Sequence, residues 1–170
     1  QYGDSRVDLF LRGEQDILFA RESELKRFSS VRTAALFDCH FYIVVGKDDP
    51  LAAKEILNVD DLAGRTFMVG GGSPAEMVVV QNRIVGSGQV QILNCPDHET
   101  AMANVAARKG IVMSPGFAND HNGEFVWIPF DCSEHMKCVL GYHRDDVRES
   151  TRYFIELAQA AYTYAGAIPL

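Results

Sequence analysis

The chain has 170 residues, 47% of them hydrophobic and 23% charged, with a formal net charge of -7. That length and balance suit one ordinary globular domain or two small lobes, and no apolar run approaches the roughly 18 residues of a membrane span. The densest basic stretch, Lys26, Arg27 and Arg32, sits beside Glu22 and Glu24 in an acidic chain, which argues against nucleic-acid binding by this segment.

The N-terminus, Gln1 to Arg6, lacks the basic-then-apolar order of a signal peptide, and the missing initiator methionine implies a segment upstream. Residues 5–13 have helical character ended by Gly13, and 16–20 (DILFA) read as a short buried strand. FYIVVG (41–46) is a second strand, rich in β-branched and aromatic residues. After Asp48, Asp49 and Pro50 come a short helical piece over 51–56, a turn over 60–64 and a strand over 65–70. The spacing then predicts a helix from Pro74 to Val85, a strand over 89–95, an amphipathic helix over 98–109 stopped by Gly110, and a strand over 110–115. This alternation implies parallel βαβ units and an α/β sheet. The last third reads as strands over 124–130 and 135–144 and a terminal helix over 147–165. In that helix Val147, Phe154, Leu157, Ala158, Ala161 and Tyr162 recur at helical spacing, a stripe expected to pack on a sheet as core.

VGGGSPAEM (69–77) carries the strongest local signal. Ser73, Pro74 and Glu76 have the pattern of a capping box: the serine hydroxyl accepts from the Glu76 amide, the glutamate reaches back, and Pro74 takes the first helical position. Three glycines before it would let backbone amides approach a small anion at the positive end of the helix. The spacing is neither G-x-G-x-x-G nor a phosphate loop ending in GK[ST], so no nucleotide cradle is supported. Asp97 reads as the N-cap of the next helix; Asp97, His98 and Glu99 are the nearest thing to a metal or acid/base cluster, but adjacent helical positions diverge. His40, His121, His135 and His143 show no i, i+4 pairing. Cys39, Cys95, Cys132 and Cys138 contain no CxxC pair, and they read as free thiols, with a Cys132–Cys138 disulfide the less favoured reading. No catalytic constellation, metal site or cofactor motif emerges.

Four stretches in order, GEQDILFA (13–20), YIVVGKDDPLA (42–52) followed by VDDLAGRTFM (59–68), VAARKGIVMSP (105–115) and FVWIPF (125–130), resemble the effector-binding domain of LysR-type transcriptional regulators. The resemblance implies an α/β two-lobe fold of the type-2 periplasmic-binding-protein kind. Lobe I would comprise 1–46 and the return 135–170, and lobe II 47–134. The first crossover would fall near Gly46 to Asp48, and the return between Glu134 and Arg144. The first strand, helix and strand of lobe I are missing from this pattern, and their loss should leave an open sheet edge and uncovered apolar surface.

The resemblance also implies function: a small effector, a carboxylate or other anion, bound in the cleft between the lobes. By position its contacts would be Ala20 and Arg21 from one lobe and Gly71, Gly72, Ser73 and Pro74 from the other, with the Arg21 guanidinium available for a bidentate pair. It implies a cytoplasmic homodimer or tetramer without membrane contact, reaching DNA only through a winged helix-turn-helix domain outside this chain. Two positions depart from the family pattern: its H-P-L-A histidine is Asp49 here, and a glycine expected two residues before Gly110 is Arg108. The alternatives are a periplasmic solute-binding protein serving a transporter and, less favoured, an enzyme on the same scaffold. A peroxide-sensing variant would need a cysteine pair within 74–94, and that segment has none.

Overall fold

A computed structural model describes residues 5–164, and these form two compact units: a continuous central one, Cys39–His135, and one assembled from the segments before and after it.

The discontinuous unit opens with α1 (Ser5–Leu11), closed by the left-handed Gly13 at φ 78°, and continues through β1 (Ile17–Arg21), the single turn α2 (Glu22–Leu25) and β2 (Val31–Cys39). The chain returns to it as β8 (Met136–His143) and α5 (Glu149–Tyr164). Its three-stranded sheet has the order β1-β8-β2, with β1 antiparallel to β8 in the register Leu18 with Gly141 and Ala20 with Val139. Leu18, Ala20 and Val139 turn to one face and meet Val7, Phe10, Leu25 and Val31 in a shared core. Asp16, the acid of the G-x-x-D pattern, pairs with Arg148 at 2.6 Å, which ties the start of β1 to the start of α5.

Two expectations fail in this unit. The nine-residue strand β2 has no counterpart in the sequence reading, because VRTAALFDC does not alternate: only its end residues, Val31 and Cys39, are fully buried. The stripe assigned to the core of α5 holds only in part. Ala158 and Tyr162 are covered, but Val147, Phe154, Leu157 and Ala161 are exposed, and Thr151, Ile155 and Gln159 are covered instead. Tyr162 stacks on Phe37 with centroids 4.7 Å apart, and Gln159 donates to the Ala35 carbonyl at 2.8 Å, so α5 lies along the strand the sequence reading missed. The expected helix end at Ala165 lies outside the described residues.

The central unit holds a five-stranded sheet of order β5-β4-β6-β3-β7, made of β3 (Phe41–Gly46), β4 (Thr66–Gly70), β5 (Gln91–Cys95), β6 (Ile111–Pro115) and β7 (Phe125–Pro129). β4 is parallel to both β5 and β6, as the alternation predicts, while β3 runs antiparallel to β6 and β7. That pairing places β3 in the central unit, so the first boundary falls between Asp38 and Cys39 and not near Gly46. The second falls between His135 and Met136. His40 and His135 lie next to these boundaries, with ring centroids 5.7 Å apart.

Right-handed crossovers that step from β4 out to β5 and back past β4 to β6 put α3 (Ala75–Gly86) and α4 (His98–Ala106) on opposite faces of the sheet. Val44, Met68 and Val112 meet Ala101 and Val105 on the α4 face, and Ile43, Phe67, Ile111 and Met113 are buried on the other. Between β3 and β4 the chain makes two 3₁₀ turns, Pro50–Ala53 and Asp60–Leu62. Asp49 caps the first through the Leu51 amide at 2.9 Å and grips Arg65 through both carboxylate oxygens, so that one acid joins the exit of β3 to the entry of β4. α4 ends in a Schellman motif: the Lys109 amide donates to Asn104 O and the Arg108 amide to Val105 O, with Arg108 itself left-handed at φ 58°. The left-handed residue that stops this helix is thus Arg108; Gly110 serves a different purpose, close approach to β4.

Two measurements test these assignments. A Cβ on Gly110 would lie 2.4 Å from the Thr66 carbonyl oxygen, so Gly110→Ala should lose about 1–3 kcal/mol in urea denaturation. Gly86→Ala, which meets nothing within 4 Å, should lose none. The Arg65 hydrogen bonds hold the Asp49 carboxyl below its ordinary range. Its stabilisation is therefore complete above the unfolded value of about 3.9 and disappears as pH falls through the depressed folded value. The urea midpoint of Asp49→Asn should lie below that of the native protein at pH 6, and the gap should close on acidification below about pH 3.9.

Candidate functional site

In the central unit the loop leaving β4 runs toward β5, and the chain leaving β6 runs the other way, through the 3₁₀ turn Gly116–Ala118 toward β7. The carboxyl ends of β4 and β6 therefore flank a point where connections diverge, the place where open α/β sheets leave a crevice. The glycine stretch sits at this point. A Cβ on Gly71 would lie 2.8 Å from the Pro96 carbonyl, and Gly72 is left-handed at φ 81°, so both glycines are required by the backbone itself.

The expected capping box is not formed. α3 begins at Ala75 with Pro74 in the N-cap position, and the first helical bond runs from the Val78 amide to Pro74 O. Proline has no side-chain oxygen to offer. The Ser73 hydroxyl turns away to donate to Gly70 O at 3.3 Å and accepts from Nε2 of the buried Gln81 at 3.3 Å. The physical reason is competition: the hydroxyl gives its proton to the Gly70 carbonyl and accepts from Gln81 Nε2, the role that the Glu76 amide would have filled in a capping box. The first-turn amides of α3 are left without a side-chain cap at the positive end of a 12-residue helix.

Glu76, freed from the box, buries Oε2 with no hydrogen-bond partner among the described residues, and so does Ser114 with its Oγ. Ser114 occupies the carboxyl end of β6, a strand buried at every position, on the face that also carries Val112. Each orphaned oxygen costs about 1–3 kcal/mol that a ligand group could recover. α4, by contrast, is capped: Asp97 accepts from the Thr100 amide at 2.7 Å, and that bond holds its carboxyl below the usual range. His98 and Glu99 start the helix as an ordinary first turn, and no group of three metal-ligating side chains occurs among the described residues.

Of the residues named from the sequence, Gly71, Gly72, Ser73 and Pro74 share this one turn. Ala20 and Arg21 belong to the other unit. The Ala20 methyl is buried in that unit's core, with its backbone laddered to Val139. Arg21 donates from its guanidinium to Glu24 Oε1 at 2.8 Å and from its amide to Glu24 Oε2 at 2.9 Å, so the carboxylate it grips belongs to this chain. The sequence reading passed over Ser114 and the orphaned state of Glu76. Ser114 had a detectable signature, a single hydroxyl in an otherwise apolar strand just before a proline, whereas nothing in the sequence reveals a failed capping box. None of the four cysteines is disulfide-bonded: Cys39, Cys95 and Cys138 are buried and Cys132 half-buried, and burial pushes the Cys132 thiol up.

The family model described as the LysR substrate binding domain matches residues 2–163. Among solved structures, the BenM effector-binding domain with its effector benzoate is similar at 16% identity, covering 98% of this chain and 78% of that one, with a TM-score of 0.73. The reduced OxyR regulatory domain from Pseudomonas aeruginosa is 17% identical, with coverage of 96% and 79% and a TM-score of 0.68. The CcmR regulatory domain of Synechocystis PCC6803 in complex with 2-PG is 15% identical, with coverage of 94% and 79% and a TM-score of 0.67. These likenesses concern the fold. No curated protein matches the chain.

An uncapped helix start predicts the effect of supplying the cap. Pro74→Asp places a carboxylate at the N-cap of α3 and should raise stability at pH 7 by roughly 0.5 kcal/mol, the gain from the cap exceeding the loss of proline rigidity. Urea denaturation measures the difference.

Proposed function

The chain belongs to the LysR substrate-binding domain family, and from that premise we propose that its effector is a small organic anion, held where β4 and β6 end. A small-molecule-sensing domain of a LysR-type transcriptional regulator has no chemistry to perform; it has to bind one state of itself to a ligand more tightly than another. The observation that carries the proposal is the uncapped start of α3, where amides and the helix dipole favour a carboxylate.

The orphaned Glu76 and Ser114 oxygens refine the class. A bare anion would leave Glu76 unsatisfied and add like charge, so the effector carries a hydroxyl or amino donor beside its acidic group. Benzoate and 2-PG in the two similar regulators support an acidic effector. Gly71 and Gly72 let the ligand approach the backbone; Ser73 and Pro74 shape the turn. Ala20 and Arg21 belong to the other unit, where Arg21 is held by Glu24, and the contacts proposed at the α3 terminus do not include them.

The same reading makes the protein a cytoplasmic homodimer or tetramer that contacts DNA through a winged helix-turn-helix domain. Family membership supports this, as do the exposed Tyr153, Phe154 and Leu157 of α5, an apolar surface suited to a second copy. No described helix is long and apolar enough to cross a membrane. The family match gives delivery to a transporter no support.

Calorimetric titration with a panel of small carboxylic acids, each paired with its hydroxy or amino derivative, tests the proposal. At least one derivative should bind saturably and at least tenfold more tightly than its parent acid. Pro74→Asp, whose carboxylate occupies the same amides, should abolish binding. Undiminished binding to Pro74→Asp would remove the α3 terminus from the site.

A further inference from the structure

The central unit has a second pole, where β3 ends, β4, β6 and β7 begin and α4 stops. It holds a pocket of about 640 Å³ lined by Lys47, Asp48, Asp49, Arg65, Arg108 and Lys109 among others. We propose that this pocket is a second binding site, for a small polyanion of at least two charges held by Arg108, Lys47 and Lys109.

Charge compensation separates the groups that build the pocket from those free to act in it. Arg65 is fixed by both oxygens of Asp49, and the pair is largely shielded from solvent, so these two form the wall and contribute no net charge. Lys47 and Lys109 are exposed and have no ion-pair partner among the described residues. Arg108 pairs with Asp48, but each side chain is 77% exposed, and an ion pair so hydrated contributes little and exchanges readily. An entering polyanion can take the guanidinium from Asp48 and meet two further ammonium groups. The pocket's aspartates are both matched by guanidinium and Glu124 is the one further carboxylate against Lys47 and Lys109, so the lining keeps a single excess positive charge in a chain whose net charge is -7.

Backbone strain is the second, independent observation. Arg108 occupies the left-handed position of the Schellman motif at φ 58°, a conformation that glycine adopts without penalty and a long side chain does not. Here a strained residue directs a guanidinium to the mouth of a pocket, the kind of outlier that marks functional sites. Favourable contact with the negative end of α4 needs only a cation close to it, and Lys109, just past the helix, supplies one without a left-handed backbone. Asp49 and Arg108 are also the two positions at which the sequence departs from the family pattern, and both line this pocket.

The test is calorimetric titration of the whole chain with citrate and, separately, with inorganic pyrophosphate, at about 50 mM salt. Saturable binding of at least one is expected, and which of the two binds distinguishes a polycarboxylate from a phosphate-bearing ligand. Arg108→Gly should weaken it at least tenfold while raising the melting temperature by roughly 2 °C, since glycine relieves the strain, so lost binding cannot be confused with lost folding. Pro74→Asp should leave it unchanged, which separates this pocket from the α3 terminus. Absence of saturable binding by both anions, or equal affinity in Arg108→Gly, would overturn the inference and leave the effector site untouched.

Discussion

The antiparallel insertion of β3 between β6 and β7 is the constraint from which the central unit's geometry follows. Phe41 to Val45 are all buried, on both faces of the sheet, and each such side chain contributes about 1.5–3 kcal/mol on leaving water. With β3 fixed opposite to β6, the carboxyl ends of β4, β5 and β6 gather at the pole where β3 begins, and their amino ends at the pole where it finishes. The first pole collects helix starts, the second a helix end and the turns around Asp49. Amide donors and excess positive charge thus come to occupy opposite ends of one sheet, and β4 reaches both, through the turn after Gly70 at one pole and Thr66 at the other.

The first pole, where the effector is proposed to bind, holds a helix start left undone. A capping box would satisfy the first turn of α3 at no cost, and the residues for it are present in order. In the turn set by Gly72 the Ser73 hydroxyl donates to Gly70 and accepts from Gln81, so the first helical amides have no side-chain cap and Glu76 Oε2 has no partner among the described residues. Stability is given up at this turn, and a ligand bound there as proposed would restore it.

Most elements were legible in the sequence because each has a local cause. Gly13 stops α1, Asp97 starts α4, and the β-branched run FYIVVG can be little other than a buried strand. What was not legible depended on partners distant in sequence. β2 has no alternation of its own and is held by β8 and α5; the covered face of α5 is set by β2, so failing to see one misplaced part of the other. Assigning β3 to the first lobe followed from the family resemblance, whereas its place is decided by pairing with β6 and β7. At the site, the glycines were legible as a turn and Pro74 as the start of the helix, but the rotation of one hydroxyl was not, since whether it accepts from the Glu76 amide or from Gln81 is decided in three dimensions.

The interruption of one unit by the other fixes an order of assembly. Within the discontinuous unit, His143 Nε2 meets the Gln15 carbonyl across 128 positions of sequence, and closing so long a loop by chance is entropically expensive. The central unit is continuous, and once folded it brings its two ends together, as the neighbouring rings of His40 and His135 show. It then acts as a clasp that shortens the effective loop between β1 and β8 to residues 22–38 and the clasped ends. Refolding should therefore be hierarchical, with the inserted segment forming first and the flanking halves joining afterwards as a late zipper.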